Sequence, residues 1–236
     1  MMLLVAAIGA LLATQPSEPP EVRQLVSFQF LPGKTAEAVD LIRERALPLH
    51  RATEPMLRFR AFREAEGSEP LDLLWVSSFR GMAGMDASNR ALAEEAGRRG
   101  TSVSEIYGSI LSLAAAHHDE FVEIDPELGW GDLERAKLVV LVRIRAAPGR
   151  SADLERSLQD VARWEQGRAL LAGAEGGRFL LSDGFDWLRL LGISALGDWH
   201  DYVRELKRQP FAPRLEECTA ESTQSIVAPL PELSVR

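Results

Sequence analysis

Cysteine is almost absent from this chain: Cys218 is the single one in 236 residues, so no disulfide can form within it. A lone cysteine late in the sequence reads as a small buried side chain rather than a nucleophile. Histidines number four. His117 and His118 are neighbours, and successive residues point apart in helix and strand alike, so they lack chelating spacing and no metal site is expected. Basic residues are outnumbered, 27 Lys and Arg against 35 Asp and Glu, for a net charge of −8. Phosphate binding needs a basic surface, and Gly97-Arg98-Arg99-Gly100 is too short to be more than a solvated helix end, so nucleic acid is excluded as the main partner. There is no G-x-S-x-G elbow and no H-E-x-x-H. The glycine-rich Gly173-Ala174-Glu175-Gly176-Gly177 lacks a following Lys-Ser/Thr and precedes a strand, which excludes a phosphate loop.

Met1 to Ala13 is apolar but too short to span a bilayer, and the polar, proline-rich TQPSEPPE follows it. This is the shape of a secretory signal, although no Lys or Arg precedes it and no small-x-small cleavage site ends it. The expectation is a secreted or periplasmic protein in which residues 1–20 are signal and linker, with no stable transmembrane span after processing.

The remainder is written twice. Residues 25–37, LVSFQFLPGKTAE, recur in outline as residues 139–153, VVLVRIRAAPGRSAD, and Phe121 to Leu128 recur as Ile226 to Leu233. Leu71-Asp72-Leu73-Leu74 matches Phe185-Asp186-Trp187-Leu188. A period of roughly a hundred residues is domain-sized, so two similar units are expected, 21–131 and 132–236, with the junction at Gly129-Trp130-Gly131-Asp132.

In the first unit, alternation over Leu25 to Leu31 predicts a half-buried strand, broken by Pro32-Gly33. Thr35 can cap a helix with Ala38, Leu41, Ile42 and Ala46 on one stripe, weakened at Pro48. Strands at 56–63 and 71–79 make a hairpin about the turn Gly67-Ser68-Glu69-Pro70. Helices at 82–96 and 102–116 and a strand at 120–124 complete the order β-α-β-β-α-β. The second unit repeats it, with strands at 138–145, 178–182, 186–193 and 225–228 and helices at 153–164 and from Asp198. The fold class is α+β: two tandem ferredoxin-like repeats, each with a bare sheet face, packed sheet against sheet as a pseudo-dimeric α/β barrel. One chain then equals the usual dimer, and a monomer with pseudo-two-fold symmetry is expected.

The chain resembles the dimeric α/β-barrel superfamily, which holds antibiotic-biosynthesis-type monooxygenases, NIPSNAP-like and EthD-like proteins and, as tandem versions, chlorite dismutase-like haem proteins. The resemblance covers most of residues 22–235. It rests on a strand followed by Pro-Gly-(Lys/Arg) and a helix, then a hairpin leading into a helix at Phe79-Arg80-Gly81-Met82 and Ile193-Ser194-Ala195-Leu196. It implies functions ranging from cofactor-independent oxygenases through haem degraders to proteins without known chemistry.

Pleat arithmetic nominates the site. With Val26, Phe28 and Phe30 toward the helices, Ser27 and Gln29 face the barrel interior, and their counterparts are Arg143 and Arg145. Arg58 and Arg60 on the second strand, Trp75 on the third, and Trp187 and Arg189 in the second unit complete an interior expected to carry several arginines and two indoles. Guanidinium forks beside aromatic walls suit a small anionic or aromatic ligand between the two sheets. The bland alternative is that these arginines pair across the interface. His50, at the end of the first long helix, is the candidate base for a monooxygenase-like reaction on an aromatic anion held by arginine. By analogy with haem-binding relatives, His200 is the candidate ligand should haem bind; no other cofactor is expected. Asp72 and Asp186 recur at matching places and read as turn hydrogen-bond acceptors.

Overall fold

The computed structural model describes residues 18–67 and 71–235. The expected signal segment, and Ser68 to Pro70 of the expected hairpin turn, lie outside the described residues.

Among the described residues there are nine strands: β1 Glu21–Phe30, β2 Met56–Gly67, β3 Leu73–Arg80, β4 Ala114–Ile124, β5 Trp130–Gly131, β6 Leu138–Ala146, β7 Gly173–Leu181, β8 Trp187–Ile193 and β9 Thr219–Pro229. The helices are α1 Thr35–Leu41, α2 Leu47–Arg51, α3 Gly81–Arg98, α4 Val103–Leu111, α5 Ser151–Glu165, α6 Leu196–Leu206 and α7 Ala212–Cys218. The strand order is β4-β1-β3-β2-β9-β6-β8-β7-β5, and β4 also pairs with β7. The two four-stranded units therefore do more than face one another. Antiparallel pairing of β2 with β9 and of β4 with β7 joins their edges into a closed eight-stranded ring, which removes the aggregation-prone edges of separate sheets.

The repeated motifs do matching work. Gly33 and Gly149 each have positive φ, 76° and 74°, in the Pro-Gly turn that ends β1 and β6. The Asp72 carboxylate accepts from Phe30 N at 2.7 Å, and the Asp186 carboxylate from Ala146 N at 2.8 Å. Each Pro-Glu-Leu forms a 3-10 turn, and each packs against the opposite repeat. Leu128 lies in the core of α5 and β6, while Leu233 lies in the core of the first repeat's helices. Val235 then exchanges backbone hydrogen bonds with Phe59.

Several elements depart from expectation: β7 starts at Gly173 inside the glycine-rich run, β9 starts at Thr219, and β5 and α7 have no expected counterpart. Residues 112–116 are not helical: α4 ends at Leu111, and β4 starts at Ala114, where its pairing with β1 begins. Pro48 does not end the first helix. A π turn, Ile42–Ala46, joins α1 to α2 and leaves Pro48 in the first turn of α2, where its missing N–H costs nothing.

The core has two layers. Inside the ring, Leu25, Phe62, Leu74, Val76, Val122, Leu141, Leu188 and Val227 form one apolar cluster. Outside it, each sheet buries its other face under its own helices. Phe28, Phe59 and Trp75 pack with Ile42 and Ile106, and Ile144 and Trp187 pack with Leu154 and Leu158. Trp75, Trp187 and Arg189 thus do not face the barrel interior. Their neighbours Leu74, Val76, Leu188 and Leu190 do, so the indoles lie under the helices. Among the described residues no helix is long and apolar enough to cross a membrane.

Candidate functional site

The arginines that were expected to bind a ligand between the sheets are matched by carboxylates. At one end of the barrel, Glu175 on β7 pairs with Arg23 and, at 3.3 Å, with Arg60. Their attraction holds the Glu175 carboxyl below the usual range although burial works the other way. Arg58 lies 3.9 Å from Glu134. Toward the other end, Glu120 takes Arg143 in a buried fork at 2.7–3.1 Å, and Arg145 pairs with Glu221. Apolar side chains fill the space between. A cavity of about 420 Å³ remains at the mouth beside Arg143 and Arg145, bordered by Ser27, Gln29, His118 and Asp183.

Two further cavities lie outside the ring, one under the helices of each repeat. The first, of about 230 Å³, is walled by Phe28, Phe59, Trp75 and Phe79 and contains His50, Ser88, Asn89 and Tyr107. His50 is only 6% exposed and stacks on Phe59, with ring centroids 4.5 Å apart. Its Nε2 is 2.6 Å from the Tyr107 hydroxyl. Burial lowers the imidazole pKa to about 4 and raises that of the Tyr107 phenol, so both are neutral at pH 7. His50 Nδ1, Trp75 Nε1 and Ser88 Oγ are buried without a partner. A neutral imidazole bonded at Nε2 presents either a donor or an acceptor at Nδ1, according to its tautomer. His117 and Asp119 also border this cavity, whereas His118 and Glu120 line the barrel mouth, since alternate residues of β4 take opposite faces.

The second cavity, of about 450 Å³, lies between β6, β8, β9 and helices α5–α7. Arg189 is at its floor, bonded to Glu165 and to Leu128 O, and Glu165 also accepts from Tyr202 at 2.7 Å and Trp130 at 3.2 Å. The two repeats thus share a plan. Each of the chain's two tyrosines bonds a residue at the C-terminal end of the first repeat helix, His50 or Glu165. Counting from the Pro-Gly turns, Glu165 would align with Leu49. The extra residue of the π turn brings His50 to that role instead, a use such insertions often have.

The nominated residues are therefore dispersed. Trp75 and His50 share the first cavity, Arg189 belongs to the second, Arg143 and Arg145 to the barrel mouth, and Arg58 and Arg60 to the opposite end. Trp187 lines none of the three, and no arginine lines the cavity that holds His50. Sequence reading missed Tyr107, Ser88, Glu165 and Tyr202. The scarcity of tyrosine was the available signal for two of them.

Structural likeness identifies the architecture. The solved structure of a monooxygenase-like protein from Fusobacterium nucleatum matches with a TM-score of 0.63 and 7% identity over 90% of this chain and 93% of the other. The fold is that of the dimeric α/β barrels. An anthrone oxidase-like protein matches with a TM-score of 0.61 and 11% identity, covering 91% and 92% of the two chains. A chlorite dismutase-like protein matches with a TM-score of 0.62 and 10% identity, covering 90% and 96%. No family model and no curated protein matches the sequence.

Haem, which the family resemblance in the sequence implies as one outcome, does not fit the residues present. His200 is exposed and lines none of the three cavities, and no histidine lines the second one. Tyr202 there is already committed to Glu165. The imidazole of His50 is engaged by Tyr107 in the smallest of the three spaces.

Proposed function

We propose that this protein binds a small, uncharged hydroxyaromatic molecule in the first-repeat cavity, under the helices rather than between the sheets. The observation that carries this reading is the set of three unpartnered polar atoms, on His50, Trp75 and Ser88, within one aromatic-walled space. Each unmet buried donor or acceptor costs roughly 1–3 kcal/mol, which a ligand hydroxyl recovers. A volume of about 230 Å³ lies below the usual range for drug-sized ligands and suits one or two fused rings. An anion is less suited here, because no arginine lines the space and the anion would lose its hydration.

A second reading, cofactor-independent oxygenation, is favoured by one observation: His50 Nδ1 is buried without a partner, and in the tautomer that carries its proton on Nε2 it would accept a hydroxyl proton. With 1-naphthol the naphtholate would surrender electrons from its para carbon to dioxygen. One oxygen atom enters as the quinone carbonyl and the other leaves as water. The low basicity of His50 keeps the naphtholate a minor species, so turnover of 1-naphthol should be slow. Export rests on Met1 to Ala13 alone and is tested by sequencing the mature N-terminus.

Titration with 1-naphthol, followed by tryptophan fluorescence, tests binding. Saturable quenching that Trp75→Phe weakens about fivefold, the worth of one hydrogen bond, supports the reading. Absence of saturation, or a Ser88→Leu variant that binds as well as the parent, defeats it. Oxygen uptake with 1-naphthol, lost in His50→Phe, separates turnover from binding alone.

A further inference from the structure

The second-repeat cavity differs from the first in its walls and its polar floor. Its enclosed surface is mainly aliphatic, with Val142, Ile144, Leu158, Val161, Leu191 and Leu206, while Trp199 and Tyr202 add a stacked aromatic pair on the α6 side. At about 450 Å³ it is within the range of small-molecule sites. Flat rings fit aromatic walls such as those around His50, whereas a space between branched aliphatic side chains is filled best by a flexible chain, with a gain of about 0.8 kcal/mol per buried methylene.

The floor sets the head group. Arg189 is 3% exposed, and its Nε–H is buried without an acceptor although both terminal nitrogens are engaged. Its charge is already matched by Glu165, which is fully buried. A ligand carboxylate would bring a second anion to a guanidinium that one carboxylate already occupies, in a setting where burial penalises charge. A hydroxyl or carbonyl oxygen would satisfy Nε–H at no such cost. The rim agrees: exposed Lys207 stands with exposed Glu216 and Glu221, so no net positive charge draws an acid in.

We propose that the second-repeat cavity is a separate binding site for a single-chain aliphatic molecule with an uncharged, hydrogen-bond-accepting head placed at Arg189. This site is independent of the His50 cavity, and either assignment can fail alone.

The test is calorimetric titration of the full chain with 1-decanol and with decanoate. One equivalent of decanol should bind, at least about tenfold tighter than decanoate, a difference of about 1.4 kcal/mol. Val203→Trp on α6, which fills the cavity, should weaken decanol binding by more than about tenfold on the same scale, while Ser88→Leu in the first repeat leaves it unchanged. If circular dichroism shows Val203→Trp unfolded, Leu191→Phe replaces it with the same expectation. The proposal is overturned by absence of saturable decanol binding, by decanoate binding as tightly as decanol, or by a folded cavity-filling variant that binds like the parent. Loss of binding in Ser88→Leu overturns it too, by moving the alcohol to the first repeat.

Discussion

Acidification should destabilise this protein through His50, by an amount the structure sets. The imidazole titrates near 6.5 in an unfolded chain and at about 4 in the fold, because burial penalises its charged form. Above pH 6.5 both states hold it neutral, and it adds no pH dependence. Between 6.5 and 4 the unfolded chain binds a proton that the native one refuses, so stability falls with pH. The loss levels off below pH 4 at about 3 kcal/mol, from some 2.5 pH units at 1.36 kcal/mol each. Carboxylates titrate in the same window, so the measurement is a difference: urea unfolding of the parent and of His50→Gln at pH 7, 5.5 and 4.5. The glutamine retains a partner for the Tyr107 hydroxyl and cannot titrate. The parent should lose stability faster than the variant by about 1 kcal/mol at pH 5.5 and about 2 to 3 at pH 4.5. Equal slopes, or an NMR titration placing the His50 midpoint at 6 or above, would refute the argument.

Other perturbations probe barrel closure and the polar core. A Cβ at Gly177 would lie 2.1 Å from Glu123 O, where β4 meets β7; Gly177→Ala should cost more than about 2 kcal/mol in thermal or urea unfolding, as overpacking against backbone does. Leu233→Ala and Leu128→Ala each empty a fully buried position that plugs the opposite repeat, and each should cost about 2–5 kcal/mol. A loss below 1 kcal/mol would deny the plug its role. Glu120→Ala strands the buried Arg143 and should cost about 3–5 kcal/mol, whereas replacing both partners by apolar residues should cost far less. A double variant as unstable as the single one would contradict that account.

Much of the fold is legible in the chain. The doubled Pro-Gly, Asp and Pro-Glu-Leu motifs mark two equivalent units because each needs a particular backbone: positive φ after the proline, a carboxylate at the hairpin, a short turn after the last strand. On β1 and β6, polar residues alternate with apolar ones, so the inward face is marked and Ser27, Gln29, Arg143 and Arg145 are assigned to the interior side. On β3 and β8 the alternation vanishes. Every residue from Leu73 to Phe79 and from Trp187 to Ile193 is buried, because one face meets the barrel core and the other meets helices. Sequence period alone cannot choose the phase of such a strand, and Trp75, Trp187 and Arg189 lie on the helix side that it leaves open.

The sequence by itself determined the repeat and the β-α-β-β-α-β order of the main elements in each unit. Tertiary structure alone decided which carboxylate neutralises each arginine, since Glu175 lies 152 residues from Arg23 and meets it only when β1 and β7 share the ring. It also decided that His50 meets Tyr107, 57 residues away, through a π turn that no composition signals. Local residue choice dictates local backbone, but a site between layers depends on how closed pairing brings distant strands and helices together.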